Sequence, residues 1–474
     1  MQYKWVALSN TTISILMASL DTNILLIGLP TVVSDLHSSL IETMWIVLSY
    51  GLVTTCVLLS FGRLADMFGR VKLYNMGLVV FTISSLFCSF AQSGTELILF
   101  RIFQAFGAAF LFSNSAAILT DAFDAKERGR ALGLNQISIV IGSVLGLLLG
   151  GILTETLGWR SIFWVNVPIG TFAAIWSHKK MRELGTISGG SIDWLGNLVL
   201  VAGLLLIMLG ITTGSLQMIP SLLEVVFVVT GIGVLGVFAY VESKVRQPMF
   251  DISLFKNKFF SAGNFMIFLN ALARGALVLI MTFYLQGPSM RLGPFAAGIY
   301  LIPVSFTIAT FGPISGWLSD KYGSRILTIL GLSISTVGFL VMTRISPVTD
   351  FEGLVLPLAL VGAGFGIFAS PNRASIMGSV PPQRRGVAAG MSTTLVTLGN
   401  VMSLGISFAI LAHAIPPQDL ESVFLGSTVH NSSAVVITNF INSIHVIFYI
   451  STFALVASII PAIILRREEE HVIY

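Results

Sequence analysis

Fourteen long apolar segments follow one another through almost the whole chain. A helix needs roughly 20 mostly apolar residues to cross the hydrocarbon core of a bilayer, and these segments are of that length. The predicted spans are residues 6–30, 43–61, 73–92, 95–120, 131–153, 161–178, 194–214, 222–242, 259–286, 293–316, 327–345, 353–378, 386–413 and 441–465. The connections are short, apart from residues 179–193, 243–258 and 414–440. This pattern predicts an all-α membrane protein.

The composition excludes a soluble fold of this size. Of the 474 residues, 55% are hydrophobic and 10% are charged, whereas a soluble domain carries about 25% charged residues. Cys56 and Cys88 lie inside apolar segments without metal-ligand spacing, so we expect no metal. The chain has no G-x-x-x-x-G-K-[ST] phosphate loop and no soluble domain for a nucleotide, so we expect neither a cofactor nor an enzyme.

The basic residues predict how the spans are oriented. Of the 26 lysines and arginines, only Arg160, Arg291 and Arg344 fall in connections on the predicted outer side. Arg101, Arg274 and Arg373 lie within spans, and the remaining 20 flank the predicted cytoplasmic ends. This asymmetry follows the positive-inside rule and places both termini in the cytoplasm. Because the basic residues are scattered and the net charge is only +4, we expect no nucleic-acid partner.

Two short sequences occur twice at nearly the same spacing. GRLADMFGRVKL at residues 62–73 returns as GWLSDKYGSRIL at 316–327, which is 254 residues later. ERGRALG at 127–133 returns as RRGVAAG at 384–390, which is 257 residues later. The repeat predicts two homologous six-helix halves, which is typical of secondary transporters.

Several stretches together resemble one known family. They are LDTNILLIGLP (20–30), the motif of Gly62, Leu64, Asp66, Gly69 and Arg70, GWRSIFWVNVPIG (158–170), and DWLG (193–196) with RQPMFDISLFKNKFF (246–260). These residues resemble the major facilitator superfamily, and more closely its drug:proton antiporter branch with fourteen spans. The resemblance implies two six-helix bundles, at 1–180 and 259–474, with two inserted helices and their cytoplasmic linkers at 181–258.

Spans 4 and 5 carry variants of two further motifs of this branch. Span 4 has Arg101, Gln104, Ala105 and Gly107. Span 5 keeps the motif's glycines but has Leu147 where the motif has proline. The glycines that we expect to pack closely against a neighbouring helix are Gly142, Gly146, Gly150 and Gly151.

Charges at membrane depth are candidates for function because they are costly there. Asp21 lies about nine residues from the outer end of span 1, so a proton and a cationic substrate could compete for its carboxylate. Arg101 in span 4 differs from it in depth by about three residues, or roughly 4.5 Å at helical rise. We expect the two to meet as a proton-coupling pair. The alternative is a permanent structural ion pair.

Arg274 lies near the middle of span 9, at the position that the repeat pairs with Leu20, beside Asp21. It could bind an anionic group of the substrate or neutralise Asp21. The alternative is an arginine satisfied by local polar groups such as Asn270. The polar side chains that we expect to contact substrate, together with Asp21 and Arg274, are Gln104, Asn114, Gln136 and Asn270.

The repeated loop motif predicts a gate at the cytoplasmic ends of the spans. Its residues are Gly62, Asp66, Gly69 and Arg70 in the first copy and Asp320 and Arg325 in the second. A carboxylate there can cap the positive end of a neighbouring helix. We expect Asp66 to face the start of span 13 near Gly386, and Asp320 the start of span 5 near Gly129. The alternative is a loop that fixes topology only.

The resemblance and the motifs together imply a secondary transporter that works by alternating access. The expected activity is proton-coupled export of hydrophobic or amphiphilic compounds across the cell membrane. Its expected partners are the lipid bilayer, a small-molecule substrate and protons, and we expect a monomer. Two alternatives stay open: a permease for an organic anion or a lipid that uses Arg274, and a membrane receptor that transports nothing.

Overall fold

The computed structural model describes residues 2–124, 127–185, 193–215, 220–245, 248, 250–381, 384–416, 419–420, 423 and 434–464. Within these ranges the regular structure is helical, with sixteen α-helices and a short 3-10 helix at Ile252–Lys256, and no strand is present. Thirteen helices in these ranges are long and apolar enough to cross a membrane. The prediction of an all-α membrane protein is therefore confirmed.

The chain divides into two compact units, Met1–Phe250 with Gly293–Ile299, and Asp251–Leu292 with Tyr300–Tyr474. The helices that begin in the first unit are α1 (Tyr3–Asp35), α2 (Leu40–Phe68), α3 (Arg70–Phe90), α4 (Gly94–Ala122), α5 (Arg128–Leu157), α6 (Ser161–Trp164), α7 (Asn166–Lys180), α8 (Trp194–Ser215), α9 (Ser221–Lys244) and α12 (Pro294–Tyr322). Those of the second unit are α10 (Lys258–Arg274), α11 (Leu277–Gln286), α13 (Ser324–Met342), α14 (Phe351–Gly378), α15 (Arg385–Ala414) and α16 (Ala434–Ile464). The predicted boundaries at 180/181 and 258/259 stay a prediction.

Two predicted spans are each divided into two helices. The span at 161–178 forms α6 and α7, which meet at Val165, and neither piece alone is long enough to cross a membrane. The span at 259–286 forms α10 and α11, which are separated by Gly275 and Ala276. At this second break the Ala276 N–H donates to Ser403 Oγ over 3.0 Å. The Ser403 hydroxyl thus accepts a hydrogen bond from a backbone N–H that has lost its partner within the helix at the break. Such a group needs a partner because the surrounding lipid offers none.

Glycines of α5 let that helix lie directly against α1. A Cβ atom added to Gly142 would lie 2.5 Å from the carbonyl oxygen of Leu16, and one added to Gly146 would lie 2.7 Å from that of Leu20. Gly150 faces the backbone of α1 at Ile24, one turn beyond Leu20. Three of the four predicted packing glycines therefore contact α1, beside Asp21. Gly151 faces residues 294–295 at the start of α12 instead.

We expect Gly146→Leu to destabilise the protein by about 1–3 kcal/mol, because added methylene groups in a packed contact force helices apart. Gly133→Leu is the matched control on the same helix, since a Cβ at Gly133 would meet nothing within 4 Å. Thermal unfolding of the purified variants in detergent measures the difference. Equal melting temperatures for the two variants would show that the contact between α1 and α5 is not tight.

The sequence repeat is also a repeat of helix packing. Gly107 of α4 lies against the backbone of Phe81, and Gly364 of α14 lies against that of Ser335. The second contact follows the first by 257 residues on one helix and 254 on the other. The turns agree as well, because Gly69 and Gly323 both have positive φ, of 105° and 81°. Glycine adopts this conformation without the steric penalty of a Cβ atom.

Candidate functional site

A buried ion pair joins α1 to α4 in the first unit. Arg101 Nη1 lies 2.6 Å from Asp21 Oδ2, and the two side chains are 2% and 0% exposed. The predicted meeting of these two residues is confirmed. At this distance the bond is both a hydrogen bond and a charge pair, which makes it stronger than a bond between neutral groups.

Two amides bind the other oxygen of the Asp21 carboxylate. Asn166 Nδ2 donates to Asp21 Oδ1 over 2.7 Å, and Gln104 Nε2 donates to the same atom over 2.8 Å. Gln104 also accepts a bond of 2.7 Å from Arg101 and donates to Ser85 Oγ over 2.8 Å. Asp21 is thus held by three donors from two other helices, α4 and α7, which compensate the loss of water around its charge.

An aromatic ring covers the arginine. The guanidinium carbon of Arg101 lies 4.2 Å from the centre of the Tyr50 ring, within the range of a cation–π contact. Sequence reasoning did not single out Tyr50, Ser85 or Asn166. Asn166 offered a signal, since it is a polar residue inside a span and inside the motif at 158–170.

The charge balance of this network depends on the charge of Asp21. Asp21 and Arg101 together carry no net charge in the ionised state. A proton on Asp21 would remove the charge that compensates the buried guanidinium, and a buried ion without its partner is strongly destabilising. Protonation would therefore favour a rearrangement in which Arg101 reaches another acceptor or water.

Two of the predicted substrate contacts do not join this network. Asn114 is buried, and its Nδ2 donates over 2.8 Å to the carbonyl of Phe110 in its own helix. Gln136 is exposed on α5. The structure therefore places both away from the Asp21 pair.

Arg274 and Asn270 lie on α10 in the second unit. Arg274 is partly exposed, and its guanidinium carbon lies 5.8 Å from the centre of the Phe365 ring. Asn270 is 5% exposed, and its Nδ2 has no hydrogen-bond partner among the described residues. Because no hydrogen bond joins Asn270 to Arg274 in the described part of the chain, the suggested local partner does not satisfy this arginine.

The first loop motif forms a polar cluster between α2, α3 and α4. Arg70 donates to Asp66 over 2.9 Å and to Asp121 over 2.7 Å. Glu183 accepts the N–H of Val71 over 2.9 Å, beside the turn at Gly69. Sequence reasoning missed Asp121 and Glu183, which lie far from the motif along the chain. Gly62 faces Ser113 at an ordinary van der Waals distance of 3.7 Å for an added Cβ.

The second copy of the motif makes different contacts. Arg325 donates from Nε to the carbonyl of Ala462 over 2.7 Å, at the end of α16. The repeat aligns Arg325 with Val71 rather than Arg70, which accounts for the different partner. The Asp320 side chain lies outside the described part of the structure. The expected contacts of Asp66 near Gly386 and of Asp320 near Gly129 stay predictions.

A model of the Major Facilitator Superfamily matches residues 11–404 and 265–473 of the chain. The chain belongs to this superfamily. It is therefore a transporter and not an enzyme, and it is a multi-pass membrane protein. The predicted family is confirmed.

Characterised members of the superfamily are similar over most of their length. The riboflavin transporter RibZ of Clostridioides difficile is 32% identical over 410 residues, which are 86% of this chain and 88% of that protein. Multidrug resistance protein 3 of Bacillus subtilis is 28% identical over 425 residues, 87% of this chain and 80% of that one. One of these relatives is named for riboflavin and the other for multidrug resistance, so the two likenesses do not identify the substrate of this chain.

Among solved structures, a bacterial homologue of the human lysosomal transporter Spinster is similar in its inward-facing, unoccupied conformation. It matches with a TM-score of 0.70 and 16% identity, over 98% of this chain and 97% of the other. At this identity the likeness shows the fold alone.

Proposed function

We propose that this protein exports hydrophobic or amphiphilic small molecules across the cell membrane in exchange for protons. The observation that carries the proposal is the Asp21–Arg101 pair, which is fully buried at membrane depth and bound by two amides. A carboxylate at this depth is a functional candidate by default. Protonation is the simplest change that can alter its bond to arginine.

Coupling follows from the charge balance of this network. With Asp21 ionised, Arg101 is compensated and the helices α1 and α4 are joined by a short bond. With Asp21 protonated, the charge pair between the two helices is lost and the buried Arg101 charge is left uncompensated. A proton taken up on one side and released on the other would thereby bias the alternation between two conformations.

The relatives support a flat or amphiphilic substrate. The transporters similar to this chain include one for riboflavin and several multidrug resistance proteins. The close contact of α1 with the glycines of α5 is consistent with the branch, because the glycines of the span-5 motif pack closely although Leu147 replaces its proline. The loop cluster around Arg70 supports a gate, since its carboxylates Asp66 and Asp121 are held by one arginine that motion could release.

Proteoliposomes that contain the wild-type protein test this function. Under an imposed pH gradient, we expect riboflavin to accumulate several-fold on the acidic side, and nigericin with potassium to abolish the accumulation. Empty liposomes measure passive partitioning of each probe. Equal flux with and without the gradient would contradict proton coupling. No protein-dependent flux for any cationic, neutral or anionic probe would contradict export and favour the receptor.

A further inference from the structure

We infer that the second unit recognises substrates by an anionic group, through a site built from Arg274 and Asn270 beside the ring of Phe365. This inference rests on the proposed function and deepens it, because it assigns a negative charge to the polar end of the amphiphile. The ligand class is a small organic carboxylate, sulfonate or phosphate with an apolar body.

The first observation is a positive charge at membrane depth without an ionic partner. Arg274 is the last residue of α10, near the middle of the candidate span Lys258–Gln286. Within the described part of the chain, it has no hydrogen-bond or ion-pair partner, and its guanidinium carbon lies 5.8 Å from the centre of the Phe365 ring. Because Arg274 is partly exposed, a ligand can reach it. Five N–H donors are therefore available to an acceptor.

The second observation is a buried amide donor one turn away. Asn270 and Arg274 are four residues apart on α10, so they lie on the same face of the helix. Asn270 is 95% buried, yet its Nδ2 has no hydrogen-bond partner among the described residues. A buried donor without a partner destabilises the protein, and a ligand that accepts its hydrogen bond would remove that penalty.

The break after Arg274 holds this position in place. Ser451 Oγ donates to the Ala273 carbonyl over 2.8 Å, and Gly275 lies against the backbone of Asn400. Side chains and backbone of α15 and α16 thus fix the end of α10 from two sides. A site on a fixed helix end loses less entropy when it binds a ligand.

The other charges inside the predicted spans also favour an anion. The carboxylate of Asp21 is already bound by three donors and 0% exposed, so it offers no free acceptor to a cationic substrate. In the second unit, α14 carries another arginine, Arg373, which has no ionic partner within the described residues. Arg373 follows Phe365 by eight residues, or about 12 Å along the helix. Two such arginines make this part of the unit electropositive.

Equilibrium binding to the full-length protein in nanodiscs tests the site without any pH gradient. The probes are fluorescein and rhodamine 123, which share a xanthene ring and differ in charge, together with flavin mononucleotide and riboflavin, which differ by one phosphate. Empty nanodiscs provide the background for each probe. We expect the wild type to bind fluorescein and flavin mononucleotide, and Arg274→Gln to bind both at least tenfold more weakly. Rhodamine 123 should change by less than twofold.

Arg130→Gln is the matched control, since it removes one exposed arginine on α5 and should leave all four affinities unchanged. Arg274→Lys keeps the charge and should bind the anions with intermediate affinity. If Arg274→Gln does not give a monodisperse protein, Arg274→Lys and Asn270→Leu take its place. Both are expected to bind the two anionic probes more weakly than the wild type does. Anion binding by Arg274→Gln that equals the wild type would overturn the site. So would a wild type that binds neither anionic probe. Since no gradient is used, failure of proton coupling would leave this result intact.

Discussion

Replacing Arg101 with methionine is expected to destabilise the protein by about 3–5 kcal/mol, because it leaves a buried carboxylate without its compensating charge. Asp21 is 0% exposed, so water cannot take over from the lost guanidinium. The side-chain oxygen of Gln104 would also lose the hydrogen bond that it accepts from Arg101. Methionine retains an unbranched apolar shape, so the loss of packing is small beside the loss of charge.

A second substitution separates charge from packing. Asp21→Asn combined with Arg101→Met removes both charges, and the asparagine can still accept bonds from Gln104 and Asn166. We expect the double variant to recover most of the lost stability, since removing a whole buried pair is far less damaging than removing one partner. Unfolding by sodium dodecyl sulfate in mixed micelles, followed by tryptophan fluorescence, measures the four free energies of the double-mutant cycle: those of the wild type, Arg101→Met, Asp21→Asn and the double variant.

Lys4→Met provides the control for the loss of a cation. Lys4 forms an ion pair of 2.7 Å with Glu127, but the two side chains are 25% and 47% exposed. A pair of this kind contributes about 0–1 kcal/mol. If the Arg101→Met variant is as stable as the Lys4→Met variant, Arg101 does not compensate the charge of Asp21. A double variant no better than Arg101→Met would show that the two residues do not act as one unit.

The sequence predicted the helices from local apolar runs, and it predicted the ion pair from the depth of each charge within its own span. Apolar runs separated by charged turns show where the spans lie. A segment in the bilayer core must satisfy its own backbone hydrogen bonds, and an α-helix does so. The depths of Asp21 and Arg101 followed from counting residues along straight helices at a known rise. The packing glycines of α5 were also predictable, because small residues recur there at helical spacing.

The parts that sequence did not predict depend on how distant segments meet. Asp121 binds Arg70 across 51 positions, and Asn166 reaches Asp21 across 145. No periodicity in one chain segment encodes such a partner. The break at Gly275 was missed for another reason. The apolar run continues through it, and the groups that stabilise the break come from Ser403 and Ser451 on other helices.

Asp21→Asn alone is expected to abolish the dependence of transport on the pH gradient. Because the variant leaves Arg101 buried without its counter-charge, its folding is checked first by unfolding in mixed micelles. Asparagine can accept the bonds of Gln104 and Asn166 at the same position, but it cannot gain or lose a proton near neutral pH. In proteoliposomes, gradient-driven accumulation of the probe should fall to the level of wild type treated with nigericin. Exchange of labelled for unlabelled probe at equal pH should continue, because it needs only the alternation of the carrier.

Asp35→Asn is the control for the loss of a carboxylate on the same helix. Asp35 is 50% exposed at the end of α1 and pairs with Arg160, so its loss should leave gradient-driven flux unchanged. The two assays divide the possible roles of Asp21. Flux and exchange that both equal the wild type would exclude Asp21 as the coupling residue. Loss of both in a stable protein would make Asp21 necessary for the alternation itself, and the ion pair would then be structural. Only loss of the gradient dependence with exchange preserved assigns the proton to this carboxylate.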